Sequence, residues 1–238
     1  MKIESLTNNR VKEWVKLKEK KYRDETGLFL IEGEHLILEA KKKNLIQEII
    51  SMDDNLEADF YITKEIMKKI SSQVSLSKRV AVCYKTEEKT IQNKILVLDN
   101  IQDPGNLGTL IRSAVAFGFH DIVLSNDCVD LYNEKVIRAS EGMIFQINVL
   151  RKDLNCFLES IQNDYQILIT DVNNGENIKN INLNKNIALV IGNEGQGIKK
   201  EIKKYANEFI KINMNEACES LNAGVAGSIL MYEVNSHE

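Results

Sequence analysis

Proline is almost absent from this sequence: 238 residues hold one, Pro104, where ordinary usage of about 5% would give about 12. Glycine is lean too, at 12 against roughly 17. Any place where these residues gather is therefore a place where the backbone needs them. Cysteine is sparse and dispersed. Cys83, Cys128, Cys156 and Cys218 form no Cys-x-x-Cys pair, and His35, His120 and His237 are equally scattered. That spacing argues against a disulfide framework and against a metal site. No apolar run of about 18 residues occurs, so no membrane span is expected. The opening Met-Lys-Ile-Glu-Ser-Leu-Thr lacks an apolar signal core, and a cytoplasmic protein with reduced thiols is expected. A strong charge of one sign is missing as well. The net charge of −4 gives no whole-protein cationic field to attract nucleic acid.

What is present is ordinary globular material, 43% hydrophobic and 28% charged, enough for one large domain or two modest ones. The halves differ in charge. Residues 1–93 hold 18 Lys and Arg against 16 Asp and Glu; residues 94–238 hold 13 against 19. Positive charge is densest from Arg10 to Arg23, and Arg10, Lys12, Lys16, Lys20 and Arg23 are candidate RNA contacts. The alternative is a solvated helix face.

Periodicity predicts a basic amphipathic helix over 10–22 with Val11, Trp14 and Val15 inward. A strand at Leu28–Ile31, a helix after Gly33, strands at Ile46–Ile50, Phe60–Ile62 and Val80–Tyr84, and a helix over Lys64–Ile70 complete a small α/β unit, residues 1–90. The polar, periodless stretch 85–93 reads as a linker. From Lys94 onward strands and helices alternate regularly, with helices expected over Leu107–Phe117, Ile198–Tyr205 and Asn222–Val234. This pattern implies an α/β domain over 94–238, a largely parallel sheet with helices on both faces. Ligands of such sheets bind beyond the carboxyl ends of the strands.

Seven of the twelve glycines fall in three loops there. In the first, Asp99–Gly108, the Asp103-Pro104-Gly105 run sets up a tight turn with glycine accepting positive φ, and Asn106 is placed to cap the helix that follows. Arg112 lies on that helix beside Gly108, Thr109, Ser113 and Ala116. The second, Gly192-Asn193-Glu194-Gly195-Gln196-Gly197, lets backbone N–H groups close around a ligand before a helix N-terminus. Its Gly-x-x-Gly-x-Gly spacing is neither the dinucleotide fingerprint nor a Walker loop, which disfavours NAD and ATP. The third, Ile212–Gly227, carries Ser220 and Asn222 into a helix whose first turns are small residues.

Taken in order, Asp99–Arg112, Leu189–Ile198 and Ile212–Ala226 resemble the three motifs of the SpoU-type RNA ribose 2′-O-methyltransferases of the SPOUT superfamily. Residues 1–90, notably Gly27–Gly33, look like the ribosomal-protein-like substrate-binding domain often fused ahead of it. The resemblance implies a C-terminal trefoil knot, S-adenosylmethionine as cofactor, an obligate homodimer and an RNA substrate, ribosomal (23S) rather than transfer RNA. It also implies that Gly192, Gly197, Ile212, Met214 and Leu221 bind the cofactor, and that Asn106, Arg112, Glu194, Ser220 and Asn222 form the catalytic set. Two departures are visible: Asn213 stands where the family usually has proline, and Ala223 where it has a valine-like residue. The implied reaction is attack of a ribose 2′-oxygen on a sulfonium methyl. No histidine lies in the three loops, and arginine stays protonated, so a charge-based role for Arg112 is expected. The rival readings are a transfer-RNA enzyme, a non-catalytic RNA-binding relative, a base methyltransferase, and an α/β enzyme using another nucleotide.

Overall fold

The computed structural model describes residues 1–193, 195–215 and 217–236. They pack as two units, one formed by residues 1–86 with 130–145, the other by 87–129 and the chain from Gln146 on.

The first unit runs β1 (Lys2–Ile3), α1 (Asn9–Lys16), α2 (Lys20–Thr26), β2 (Leu28–Glu32), α3 (Glu34–Lys42), β3 (Ile46–Ser51), β4 (Phe60–Ile62), α4 (Lys64–Ile70) and β5 (Arg79–Tyr84). Its sheet has the order β1-β4-β3-β5-β2; β5 runs antiparallel to both neighbours and the other pairs are parallel. Val11, Trp14, Ile66, Ile70, Val80 and Val82 share one core. Trp14 keeps its indole N–H satisfied there by donating to Glu48 at 2.5 Å.

The helix expected over 10–22 is two helices. The chain tightens at Leu17–Glu19, where the amides of 17, 18 and 19 donate three residues back. The carbonyls of Leu17 and Lys18 are taken by the Arg23 guanidinium at 2.8 and 2.7 Å, and Arg23 also pairs with Asp130 at 2.6 Å. No proline or glycine marks this break. Its cause is a buried arginine collecting the acceptors that a continuous helix would have used.

In the second unit the order is β6 (Lys94–Leu98), α5 (Pro104–Ala116) and β7 (Asp121–Leu124). The chain then contributes α6 (Glu134–Ala139) to the first unit and returns with β8 (Asn148–Arg151), α7 (Leu154–Ile161), β9 (Gln166–Thr170) and β10 (Glu176–Asn177). Last come β11 (Ile187–Ile191), α8 (Lys200–Lys203), β12 (Glu208–Lys211) and α9 (Ala223–Ser236). The sheet order is β10-β12-β9-β11-β6-β7-β8, with every pair parallel. The central strands β6 and β11 are buried at every residue, which is why β11, and β6 after Lys94, read as apolar runs. Because all strands run one way, the loops after β6, β9, β11 and β12 emerge on one edge.

Candidate active site

Asp103, not Asn106, caps α5: its carboxylate accepts the Asn106 N–H at 2.8 Å, and Pro104 occupies the first helical position. The expected tight turn is thus the first turn of the helix itself, and Gly105 keeps a negative φ. Freed from capping, the Asn106 side chain is buried and accepts a hydrogen bond from Asn222 Nδ2 at 2.8 Å. That bond ties the first loop to the third. Arg112 projects from the exposed face of α5 with Thr109 and Ala116, and it has no hydrogen bond or ion pair to any described residue.

The second loop is held by Asn193. Its Oδ1 accepts the N–H groups of Gly195 and Gln196 at 2.8 and 3.2 Å, its backbone pairs with Gly197 in both directions, and its Nδ2 donates to the Asn100 carbonyl at 3.0 Å. The expectation that these amides are offered to a ligand is therefore corrected: the loop consumes them internally. Nor does a helix N-terminus follow directly, since α8 begins only at Lys200 and has four residues. What the glycines supply is room. A Cβ on Gly192 would sit 2.5 Å from the Gly197 carbonyl carbon, and Gly197 itself adopts a φ of 65°. Glu194 lies outside the described residues.

The third loop ends where Asn222 caps α9, its Oδ1 accepting the Val225 N–H at 3.2 Å. Helix α9 packs closely on α5 because Gly227 has no side chain; a Cβ there would run into Leu110 Cδ2 of α5 and stand 2.7 Å from Ile191 Cδ1 of β11. Ser113 and Ser228 bridge the two helices at 2.6 Å.

The second and third loops, with the segment after β9, enclose a cavity of about 390 Å³. Gly192, Gly197, Ile212, Met214 and Leu221 all line it, as does Ser220; so does Ala223, one of the two departures from the family pattern. Asn213, the other, is exposed. Sequence reasoning missed the remaining wall, Thr170–Asn173 with Lys203. There Lys203 donates to Asp171 at 2.8 Å and holds its carboxyl below the usual range. The signal existed, because Thr170 ends a strand of a parallel sheet, but no glycine flagged it. Cys218, in the third loop, is exposed and directs its thiol to the Ser220 carbonyl at 3.3 Å.

The basic stretch of the first unit is dispersed. Arg23 is buried, and Arg10 pairs with Glu48 at 3.3 Å and lies over the Phe60 ring. Lys20 pairs with Asp24. Lys12 and Lys16 are exposed without an ion pair among the described residues. The RNA-facing expectation for Arg23 is corrected: the side chain is buried and its two terminal nitrogens donate within the chain.

A family model described as the SpoU rRNA Methylase family matches residues 93–232. The chain belongs to the SpoU rRNA methylase family. A second model, the MRM3-like substrate binding domain, matches residues 8–88. Among relatives of this SpoU chain is the 23S rRNA (guanosine(2553)-2′-O)-methyltransferase RlmP of Bacillus subtilis, 34% identical over 98% of both chains. An AdoMet-bound rRNA methyltransferase from Sinorhizobium meliloti is similar in structure, with a TM-score of 0.89 at 25% identity over 100% of this chain and 98% of that one. A further neighbour is the SpoU methyltransferase AviRb from Streptomyces viridochromogenes, at TM-score 0.85 and 21% identity over 97% and 98%. The last likeness bears on the fold alone. The resemblance read from the three loops therefore holds, as does the α/β class with its parallel sheet, and the chain is an RNA methyltransferase.

The cavity fits S-adenosylmethionine, the family's cofactor. Its volume lies within the roughly 300–1,000 Å³ of small-molecule sites. Ile191, Ile198, Ile210, Leu221 and Leu230 give it apolar walls, and Gly192 leaves a cradle that any side chain would fill.

Proposed function

We propose that this SpoU chain methylates a ribose 2′-hydroxyl of 23S ribosomal RNA, with S-adenosylmethionine held in the cavity between the second and third loops. The single observation that carries this reading is the Asn222–Asn106 hydrogen bond, which joins the cavity's third loop to the helix bearing Arg112. S-adenosylmethionine supplies an electrophilic methyl when bound. Everything else falls to the protein. Asn106 and Asn222, each locked by the other and by a helix terminus, orient the ribose. Ser220, at the cavity rim, offers a hydroxyl to the same region, and Glu194 belongs to the same set. Arg112, without a hydrogen bond or ion pair among the described residues, grips the neighbouring phosphate and stabilises negative charge growing on the 2′-oxygen. Holding the two reactants together contributes much of the rate.

RNA is taken up on the first unit through exposed cations. Lys12 and Lys16 on α1 and Lys64 and Lys68 on α4, the helix packed against it, are exposed without ion pairs among the described residues. Such cations give salt-sensitive, sequence-independent affinity. The protein works in the cytoplasm as a homodimer. Val225 and Tyr232, 46% and 54% exposed, put apolar surface on the outer face of α9, beside α5. A trefoil knot in the segment from β11 to α9 accords with β11 lying between β9 and β6. Among the described residues no helix is long and apolar enough to cross a membrane.

A thermal-shift comparison of S-adenosylhomocysteine, NAD and ATP tests the cofactor. Stabilisation by S-adenosylhomocysteine alone is expected; stabilisation by NAD or ATP instead would replace this reading with another nucleotide chemistry.

A further inference from the structure

At the end of β6 stands a buried carboxylate for which the chemistry above has no use. Asp99 is fully buried, and its two oxygens are treated unequally. Oδ2 accepts the backbone N–H of Lys199 at 3.0 Å. Oδ1 has no hydrogen-bond partner among the described residues and lies 3.9 Å from the Lys199 ammonium. That ammonium is held from its other side by Asp127 at 2.5 Å. A carboxylate is costly to bury unless it is paired and hydrogen-bonded, so a neutral apolar residue would be the simpler occupant of this position.

The backbone of the same residue explains what the side chain is for. Asp99 N–H donates to the Ile191 carbonyl at 2.9 Å, continuing the β6–β11 register in which Leu98 faces Ile191. Ile191 is the last residue before the segment Gly192–Ile198, and Lys199 is the first after it. One residue therefore grips the loop at entry, through its amide, and at exit, through its carboxylate. The next residue, Asn100, adds a third hold by accepting the Asn193 side chain from inside the loop. Asn100 reaches that position with a left-handed φ of 58°.

We infer that Asp99 is a positioning residue for the cofactor: its carboxylate clamps the exit of the loop Gly192–Ile198, so the cavity wall that faces the cofactor is formed before binding. The inference rests on the S-adenosylmethionine reading. It acts through the loop, because Asp99 does not itself line the cavity. A wall fixed in advance spares the ordering cost that binding would otherwise carry.

The test titrates S-adenosylhomocysteine into the full-length protein by calorimetry and follows exchange of the Lys199 amide by NMR. In Asp99→Ala the Kd is expected to rise by about tenfold or more, the range of a hydrogen bond to a charged group. The Lys199 amide loses protection, and the KM for RNA stays within about twofold. Asp99→Asn, which keeps an acceptor for that amide, is expected to recover the affinity to within roughly threefold of wild type. Should Asp99→Ala not fold, the neutral pair Asp99→Asn/Lys199→Met decides: retained affinity supports the clamp, and a tenfold loss overturns it. The inference is also overturned if Asp99→Ala binds within about twofold of wild type, or if it weakens cofactor and RNA alike, as a general loss of structure would. A wild-type protein that does not bind S-adenosylhomocysteine removes the cofactor reading itself, an outcome distinct from wild-type binding with an indifferent Asp99→Ala.

Discussion

Two glycines of the loop after β11, Gly192 and Gly197, are required for different reasons, and substitutions separate them. At Gly192 the obstacle is space: a Cβ would stand 2.5 Å from both the carbonyl carbon and the oxygen of Gly197 and 2.6 Å from Ile198 Cγ1. Two of those atoms are backbone and cannot rotate aside, so Gly192→Ala must push the loop off its Asn193 clasp. Overpacking of this kind costs about 1–3 kcal/mol. Spent within the loop, that corresponds to a rise of roughly 5- to 150-fold in the Kd for S-adenosylhomocysteine. At Gly197 nothing lies within 4 Å of a new Cβ, and only the φ of 65° objects. The left-handed conformation costs an ordinary residue about 1–2 kcal/mol but is tolerated by asparagine. Calorimetry on Gly192→Ala, Gly192→Asn, Gly197→Ala and Gly197→Asn is then expected to show asparagine as the better replacement at 197 and the worse one at 192. The same order of Ala and Asn at both positions, or a Gly192→Ala variant with wild-type affinity, would refute the steric reasoning.

Arg112→Lys keeps the charge but loses the two-pronged donor, and kcat is expected to fall by about tenfold or more with cofactor affinity unchanged; single-turnover kinetics beside a binding isotherm checks it. Asp24 has its carboxyl lowered to about 2 by hydrogen bonds from Lys20 and then Lys85. A lowered carboxylate stabilises the fold above its unfolded value and loses that contribution as pH falls toward 2. Unfolding titrations of Asp24→Asn should therefore match wild type near pH 2 and fall below it at pH 7, by under about 1 kcal/mol because the pair is exposed. Burial pushes the Cys83 thiol up to about 12, whereas Cys156 and Cys218 are exposed. A thiol-reactive dye counted against time is expected to label Cys156 and Cys218 in the native protein and Cys83 only on unfolding.

Much of this molecule is legible in its sequence because its strongest signals are local. After Lys94, β6 is apolar, as is all of β11, and the helix Lys64–Ile70 coincides with its periodic pattern. What escaped is set by contacts remote in the chain. The break after α1 depends on Arg23 reaching back to Leu17 and Lys18, and α8 starts only at Lys200, where Asp99, a hundred residues earlier, holds the capping residue Lys199. Asp103-Pro104-Gly105 has the composition of a turn, yet Asp-Pro serves equally as cap and first position of a helix, and the local residues are the same in both. In the site, the glycine-marked residues Gly192 and Gly197 were visible from composition. The wall at Thr170–Asn173 carries no unusual residue type, and only the parallel topology brings it to the cavity.

The central claim is ribose methylation of ribosomal RNA, and the direct measurement is methyl transfer from labelled S-adenosylmethionine into unmodified total RNA, followed by mapping of 2′-O-methyl positions. Label at a single 2′-O-methyl nucleotide of 23S RNA, lost with Asn106→Ala, is the predicted result. Label on a base, label confined to transfer RNA, or no incorporation into any RNA would contradict the account.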